Sequence, residues 1–325
     1  MMSYLVRRSL YAVLILIGVN LITFLLFFKV NSPEDMARMA LGGKRVTAEA
    51  VETWKREKGY DKPLFYNAEA EGSELLTDTI FVQKSLPMFH GEFGASDDGR
   101  NIAREIGIRA WPSLALALPV FIVGLAVNIT FALGMAFFRG TYLDVGGVVL
   151  CVVAMSVSGL FYIIGGQFLF SRTLSLVPIS GYAGGADAFR FLILPIVVGV
   201  ISGIGSGARW YRTIFLEEIS KDYVRTARSK GLSETQVLYG HVLRNALIPI
   251  ITGSVSVIPL LFMGSLVSES FFGIPGLGSY TIEAINAQDF GVVRAMVFIG
   301  AVLYIIGLML TDIAYTLVDP RIRLE

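Results

Sequence analysis

An all-α membrane protein with six transmembrane helices is the fold class this sequence predicts, on three observations. Only 16% of its 325 residues are charged and mean hydropathy is +0.65, against roughly 25% charged residues in soluble domains. The apolar residues lie in long blocks, and a bilayer core about 30 Å thick needs roughly 20 of them per helix. The cations are clustered: seven of the twenty-seven Lys and Arg fall between Arg209 and Arg244, which a net charge of +1 conceals.

The predicted spans are 10–30, 112–138, 145–170, 191–208, 247–268 and 292–318. Arg7 and Arg8 precede the first, whose apolar run exceeds a signal peptide's core and is followed by no small-residue cleavage site, so it reads as retained. Residues 31–111 have the composition of a globular segment. Within it "TAEAVETWKREKGY" (47–60) reads as a surface helix, with a Thr cap, Glu at helical offsets from Lys and Arg, and Gly59 as its end. "DKPLFYNAEAEG" and "HGEFGASDDGRN" read as loops. "NIAREIGIRAWPSLALALP" is an amphipathic entry to the second span, with Pro112 in the first turn of that span. In the fourth span Gly199, Gly203 and Gly207 recur every four residues beside Ser202 and Ser206, which predicts close helix contact, with a substrate-facing groove as the lesser alternative. Pro119, Pro195, Pro249 and Pro259 mark kinks or span starts.

Orientation follows from the basic residues of the short loops and tails. With six spans, Arg7, Arg8, Arg139, the cluster from Arg209 to Arg244, Arg321 and Arg323 share one side, against Arg172 and Arg190 opposite. Both termini are therefore expected in the cytoplasm. The 31–111 segment, with eleven basic and fourteen acidic residues, is long enough to escape the charge rule and is expected outside.

Catalytic groupings are scarce. The sequence contains no G-x-x-x-x-G-K-[ST] loop for binding ATP, and two His with one Cys cannot form a metal cluster or a disulfide. The Ser residues of "MGSLVSES" have no base beside them and read as packing residues. The chain is therefore expected to be no enzyme, with no cofactor of its own. Two ionisable residues of the predicted spans, Glu269 at the outer end of the fifth and Asp312 in the sixth, are candidates for a pathway or gate, weighed against capping or helix-pairing roles.

The strong signal is the basic loop, 209–246. Leu216, Ile219, Tyr223 and Ala227 recur at helical steps and predict a helix to Lys230, with Lys221, Arg225 and Arg228 on another face. Gly231 ends it, and Ser233 with Gln236 fits a capping box for a second short helix. Two helices hinged at a glycine have the form of a docking element, although an anchor on anionic lipid has the same look.

At this point the chain resembles the permease subunits of the dipeptide/oligopeptide family of binding-protein-dependent ABC importers over nearly its whole length. "YLVRRSLYAVLILIGVNLITFLLF" resembles the opening span, "GYDKPL" and "GEFGAS" the outer segment, and "VPISGY" the third outer turn. "DYVRTARSKGL" with "HVLRNALIPI" resembles the coupling loop, "SESFFGIPGLG" the turn after the fifth span, and "DPRIR" the tail. ABC permeases generally carry Glu-Ala-Ala, three residues, Gly in this loop; here Arg225, Thr226 and Ala227 stand in for the first three and Gly231 is kept. His241, Leu243 and Arg244 stand where other permeases have Ile, Leu and Pro. "NSPEDMARM" replaces the usual Pro-Gly-Asp-Pro, Ser158-Gly159-Leu160 stands for Ser-x-Pro, and residues 67–90 exceed the typical outer segment; these departures bear on substrate rather than architecture.

The resemblance implies a type I importer permease: residues 1–30 as the cytoplasmic N-terminus and first helix, 31–111 as an extracytoplasmic segment, 112–318 as the permease core with its 209–246 coupling loop, and 319–325 as a cytoplasmic tail. It implies a bacterial-type inner membrane and, as partners, a homologous second permease, two cytoplasmic ATPase subunits that bind ATP and Mg, and an extracytoplasmic solute-binding protein. Lipid surrounds the spans, and no nucleic acid is involved. Tyr223, Val224, Arg225, Thr226, Ala227, Arg228, Gly231, Leu232, His241, Arg244 and Asn245 are the expected ATPase-coupling residues, with Tyr223, Val224 and Ala227 packing into the ATPase cleft. Peptides are the expected cargo; nickel complexes, sugars or other small solutes are alternatives, and an ion-coupled secondary transporter is the competing class.

Overall fold

The computed structural model describes residues 2–42, 46–255 and 257–318; the 319–325 tail with its DPRIR motif lies outside them. Among the described residues the chain is helical, with no strand. In order the helices are α1 (Met2–Leu25), α2 (Pro33–Ala40), α3 (Ala48–Lys58), α4 (Glu74–Thr77), α5 (Ile80–Lys84), α6 (Ile102–Phe137), α7 (Tyr142–Ser156) and α8 (Gly159–Gly166). Then come α9 (Ala188–Ile219), α10 (Asp222–Ser229), α11 (Glu234–Val237), α12 (Leu243–Val255), α13 (Leu266–Phe272), α14 (Leu277–Ala287) and α15 (Phe290–Val318).

Among the described residues four helices are long and apolar enough to cross a bilayer: Arg7–Val30, Ile102–Phe137, Ala188–Ile219 and Phe290–Ala314. Two bent pairs, Tyr142–Ser156 with Gly159–Thr173 at 90° and Glu234–Val255 with Ile258–Phe272 at 43°, raise the count to as many as six where each pair is one span. The predicted third span, 145–170, is therefore not one straight rod. Val157 and Ser158 take extended dihedrals, ψ 127° and 142°, and turn the chain. The predicted fifth span is interrupted after Val255. The fourth runs past its predicted end at 208 to Ile219, because a helix leaving the bilayer can carry Arg209, Arg212, Glu217 and Glu218 without an apolar signal.

The chain divides into two compact units. The first comprises residues 2–109 and 280–306. Phe24, Phe28, Met36 and Ile80 form its core, with Trp54, Tyr60, Phe81 and Phe290 against them. "NSPEDMARM", the departure from the family pattern, folds as capped α2: Ser32 and Asp35 form a capping box and Pro33 opens the helix. Thr47 caps α3 by accepting from Ala50 N, and Gly59 ends it at φ 67°, as the sequence predicts. Arg294, 5% exposed, donates to Lys84 O at 2.8 Å and Ser85 Oγ at 3.3 Å and lies 5.0 Å from the Phe28 ring centroid. Cations at a helix C-terminus satisfy its open carbonyls, so Arg294 closes the end of α5.

The second unit comprises residues 110–279 and 307–318. Arg212 of α9 donates twice to Asp144 of α7, both at 2.8 Å. A Cβ on Gly199 would crowd Val120 and one on Gly207 would overlap Asn128, so the predicted close contact is with α6; Gly203 meets nothing within 4 Å. Gly205, outside the predicted stripe, abuts the Cys151 carbonyl of α7.

Candidate functional site: the helix pair after the fourth span

The basic loop folds as α10, a glycine turn and α11. The predicted continuous helix from Leu216 is instead broken at Ser220 and Lys221, which separate α9 from α10. Gly231 has φ +80°, which an L side chain tolerates poorly, and its N–H bonds Arg228 O at 2.9 Å. The predicted capping box is formed: Ser233 Oγ accepts from Gln236 N, and Gln236 Oε1 accepts from Ser233 N at 3.0 Å. α11 is not a separate short helix. It runs through a π-helical turn, Leu238–Val242, into α12, so Glu234–Val255 forms one helix reaching into the fifth span.

The pair has two faces. Val224, at 0% exposed, and Ala227 are buried with Phe215, Val237, Leu238, Val242 and Ala246 against Ala132, Leu133 and Ala136 of α6. Leu232 and the half-buried Tyr223 pack on the same cluster. An amphipathic helix buries its apolar stripe on the nearest apolar surface, and within this chain the expected packing residues Tyr223, Val224 and Ala227 lie against its own spans. Arg225, Thr226, Arg228, His241 and Arg244 are exposed, as is Tyr239, which the sequence reading passed over. The Arg225 side chain is 77% exposed, 3.6 Å from Asp222.

Two polar ties hold the pair in place. Arg228 donates to Glu234 at 2.8 and 3.0 Å, bridging the helices across Gly231. Buried Glu218, at the end of α9, accepts from Lys221 and from the Tyr223 hydroxyl at 2.7 Å. Asn245, which donates to His241 O at 3.0 Å, hydrogen-bonds the same hydroxyl. Burial, reinforced by the Glu218 carboxylate, pushes the Tyr223 phenol up to about 12. Glu218 and Glu234 escaped the sequence reading; the only signal was an acid at short range from a loop Tyr or Arg.

Of the two pathway candidates, Asp312 is half-buried in α15. Glu269, in α13, is fully buried, and its oxygens accept from Ser265 N and Ser279 N, each at 3.1 Å. The Ser113 hydroxyl, which accepts from Leu277 N at 2.7 Å, also bonds this carboxylate, as does Gly278 N. Gly264 and Gly276 leave room for it, since a Cβ on either would overlap the carboxylate and Ser113. Glu269 therefore ties together the turn from α13 to α14. Among the described residues no group of His, Cys, Asp or Glu could hold a metal ion. The helix pair combines a buried apolar seat, a basic outer face and a continuous helix behind it.

Comparison with known proteins bears on the whole chain. The pattern of the binding-protein-dependent transport system inner membrane component matches residues 107–324, and that of the corresponding N-terminal region matches residues 1–86. A peptide transport system permease protein of Brucella abortus is 34% identical over 331 residues, covering 100% of both chains. A peptide ABC transporter permease protein of Sinorhizobium fredii is 29% identical over 98% of this chain and 99% of its own. A glutathione transport system permease protein of Salmonella choleraesuis is 29% identical over 99% of each.

Proposed function

The chain belongs to the inner-membrane components of binding-protein-dependent transport systems, a permease subunit of an ABC importer, and from that premise we propose that the α10–α11 pair is its ATPase-coupling element and that its cargo is peptide. The observation that carries this is the two-faced build of the pair. Its apolar side is seated on the chain's own spans, and its outward side is basic, with Arg225 77% exposed. Arg225, Thr226, Arg228, His241 and Arg244 would meet a cytoplasmic ATPase, and Val224, Ala227 and Leu232 would keep α10 seated. Tyr223 and Asn245 link α10 to α9 and α12, so a push on α10 would move the fourth and fifth spans as a rigid body, with Gly231 as the turn.

In this reading two ATPase subunits bind ATP and Mg, a second permease completes the pathway, and a solute-binding protein delivers cargo to the face bearing residues 31–111. Both termini are cytoplasmic. ATP-driven closure of the ATPases turns the pathway outward and hydrolysis returns it inward, with no covalent chemistry in this chain. Peptide cargo rests on relatives named for peptide and glutathione transport.

The test is co-purification with co-expressed ATPase subunits, and uptake in the reconstituted complex. Arg225→Glu and Gly231→Pro are expected to leave the chain in the membrane but to lose ATPase capture and ATP-dependent uptake. Unchanged uptake in both variants, or ion-driven uptake without any ATPase, would return the chain to the secondary-transporter class.

A further inference from the structure

A cavity of about 380 Å3 opens where the fifth span is interrupted. α12 ends at Val255, a 3-10 turn follows over Ile258–Met263, and Gly264 stands at φ 69°, ψ −176° before α13 begins. Non-helical backbone at the depth of a span is tolerated where it is buried in protein or lines a water-filled cavity. This break lines a cavity. The cavity wall is formed by Val120 and Phe121 of α6, Gly199 and Ser202 of α9, and Ser265 and Ser268 at the break.

The lining combines apolar side chains with three serine hydroxyls and holds no ionisable group. That neutrality is built in. Glu269 follows Ser268 directly, yet it is fully buried, with both oxygens engaged by the backbone N–H groups of Ser265 and Ser279. The hydroxyls retain capacity toward a ligand. Ser202 donates to Gly199 O at 3.0 Å and can still accept, while Ser265 accepts from Ser268 N at 3.3 Å and can still donate. The volume lies within the roughly 300–1,000 Å3 of ordinary ligand pockets.

We propose that this cavity is where cargo crosses the membrane along this chain, and that it takes the uncharged backbone of a peptide, with amides at Ser202, Ser265 and Ser268 and side chains against Val120 and Phe121. The proposal rests on the permease reading above. It assigns Glu269 a positioning role, holding the broken segment in shape behind the wall. A neutral lining of this kind discriminates by width and backbone rather than by side-chain charge.

The experiment uses the complete complex with its partner subunits, carrying Cys151→Ser to remove the single native cysteine. Ser202→Cys, Ser265→Cys and Ser268→Cys are introduced one at a time, with Val153→Cys, on an exposed apolar face of α7, as a control. The readouts are modification by a membrane-impermeant methanethiosulfonate, ATP hydrolysis, and uptake of an Ala-X-Ala tripeptide mixture. Expected are modification of the three cavity cysteines but not of the control, slowing of that modification by saturating tripeptides, and at least about tenfold lower uptake after modification with basal ATP hydrolysis retained. Cavity cysteines that stay unmodified in every nucleotide state, or are modified with no loss of uptake, would overturn the site. Absence of ATP-dependent tripeptide uptake by the complex with native Cys151 would instead overturn the peptide-cargo reading.

Discussion

The α10–α11 pair and the turn from α13 to α14 are both built on a glycine and an acid, and they spend the acid in opposite ways. In the pair, Glu234 meets Arg228 with side chains 61% and 42% exposed. In the turn, Glu269 is wholly buried and gathers backbone N–H groups and the Ser113 hydroxyl. An exposed ion pair exchanges hydration for a screened attraction, so either partner can be lost cheaply. A buried carboxylate must be fully satisfied, and once it is, its donors depend on it in turn. One region is thus an adaptable outer face and the other a fixed internal joint.

The sharpest way to break this contrast is to remove each acid. Glu269→Ala strands the N–H groups of Ser265, Gly278 and Ser279 and the Ser113 hydroxyl, at roughly 1–3 kcal/mol for each unsatisfied buried group, so loss of most folded protein is expected. Thermal unfolding of the purified chain in detergent reads it, and an unfolding temperature equal to that of the parent would sink the idea of a joint. Gly276→Ala should follow with about 1–3 kcal/mol, since its Cβ would overlap the same carboxylate. Gly240→Ala, in the π-helical turn of the pair with nothing within 4 Å of its Cβ, should instead be neutral or slightly stabilising.

Smaller effects belong to the exposed side. Arg228→Ala is expected to change stability by under about 1 kcal/mol, and that difference should shrink further as salt is raised. The smallest effect is a pH window. With the Tyr223 phenol at about 12 rather than its ordinary 10, its neutral form is favoured in the fold. Its contribution is complete below pH 10 and is lost as pH rises from 10 to about 12. Denaturation between those values should steepen in the parent and not in Tyr223→Phe, while pH 7 reveals nothing.

Much of the exposed region was legible before folding. The Ser233–Gln236 box, Gly231, Thr47 and Gly59 act within four residues of the helices they cap, so a local pattern carries them. The direction of the apolar stripe was not. Val224 and Ala227 announce a buried face, but whether it meets a partner or the chain's own α6 depends on contacts about ninety residues away. Arg294 escaped notice inside an apolar run, since nothing near it in sequence announces Lys84 O and Ser85 as partners. The bend of the predicted 145–170 span at Val157 and Ser158 was invisible because hydropathy records apolar length and is blind to a two-residue change of ψ.

By itself the sequence determined that the chain belongs in a membrane, where its long apolar runs lie, and where the basic helix–glycine–helix lies, since composition, periodicity and capping act over a few residues. Only the tertiary structure decided which way each charge turns. Glu269 became a joint, Arg294 the close of a helix, and Arg225 an exposed cation, because the energy of an ionisable group is set by the groups that surround it in space, and those arrive from distant parts of the chain.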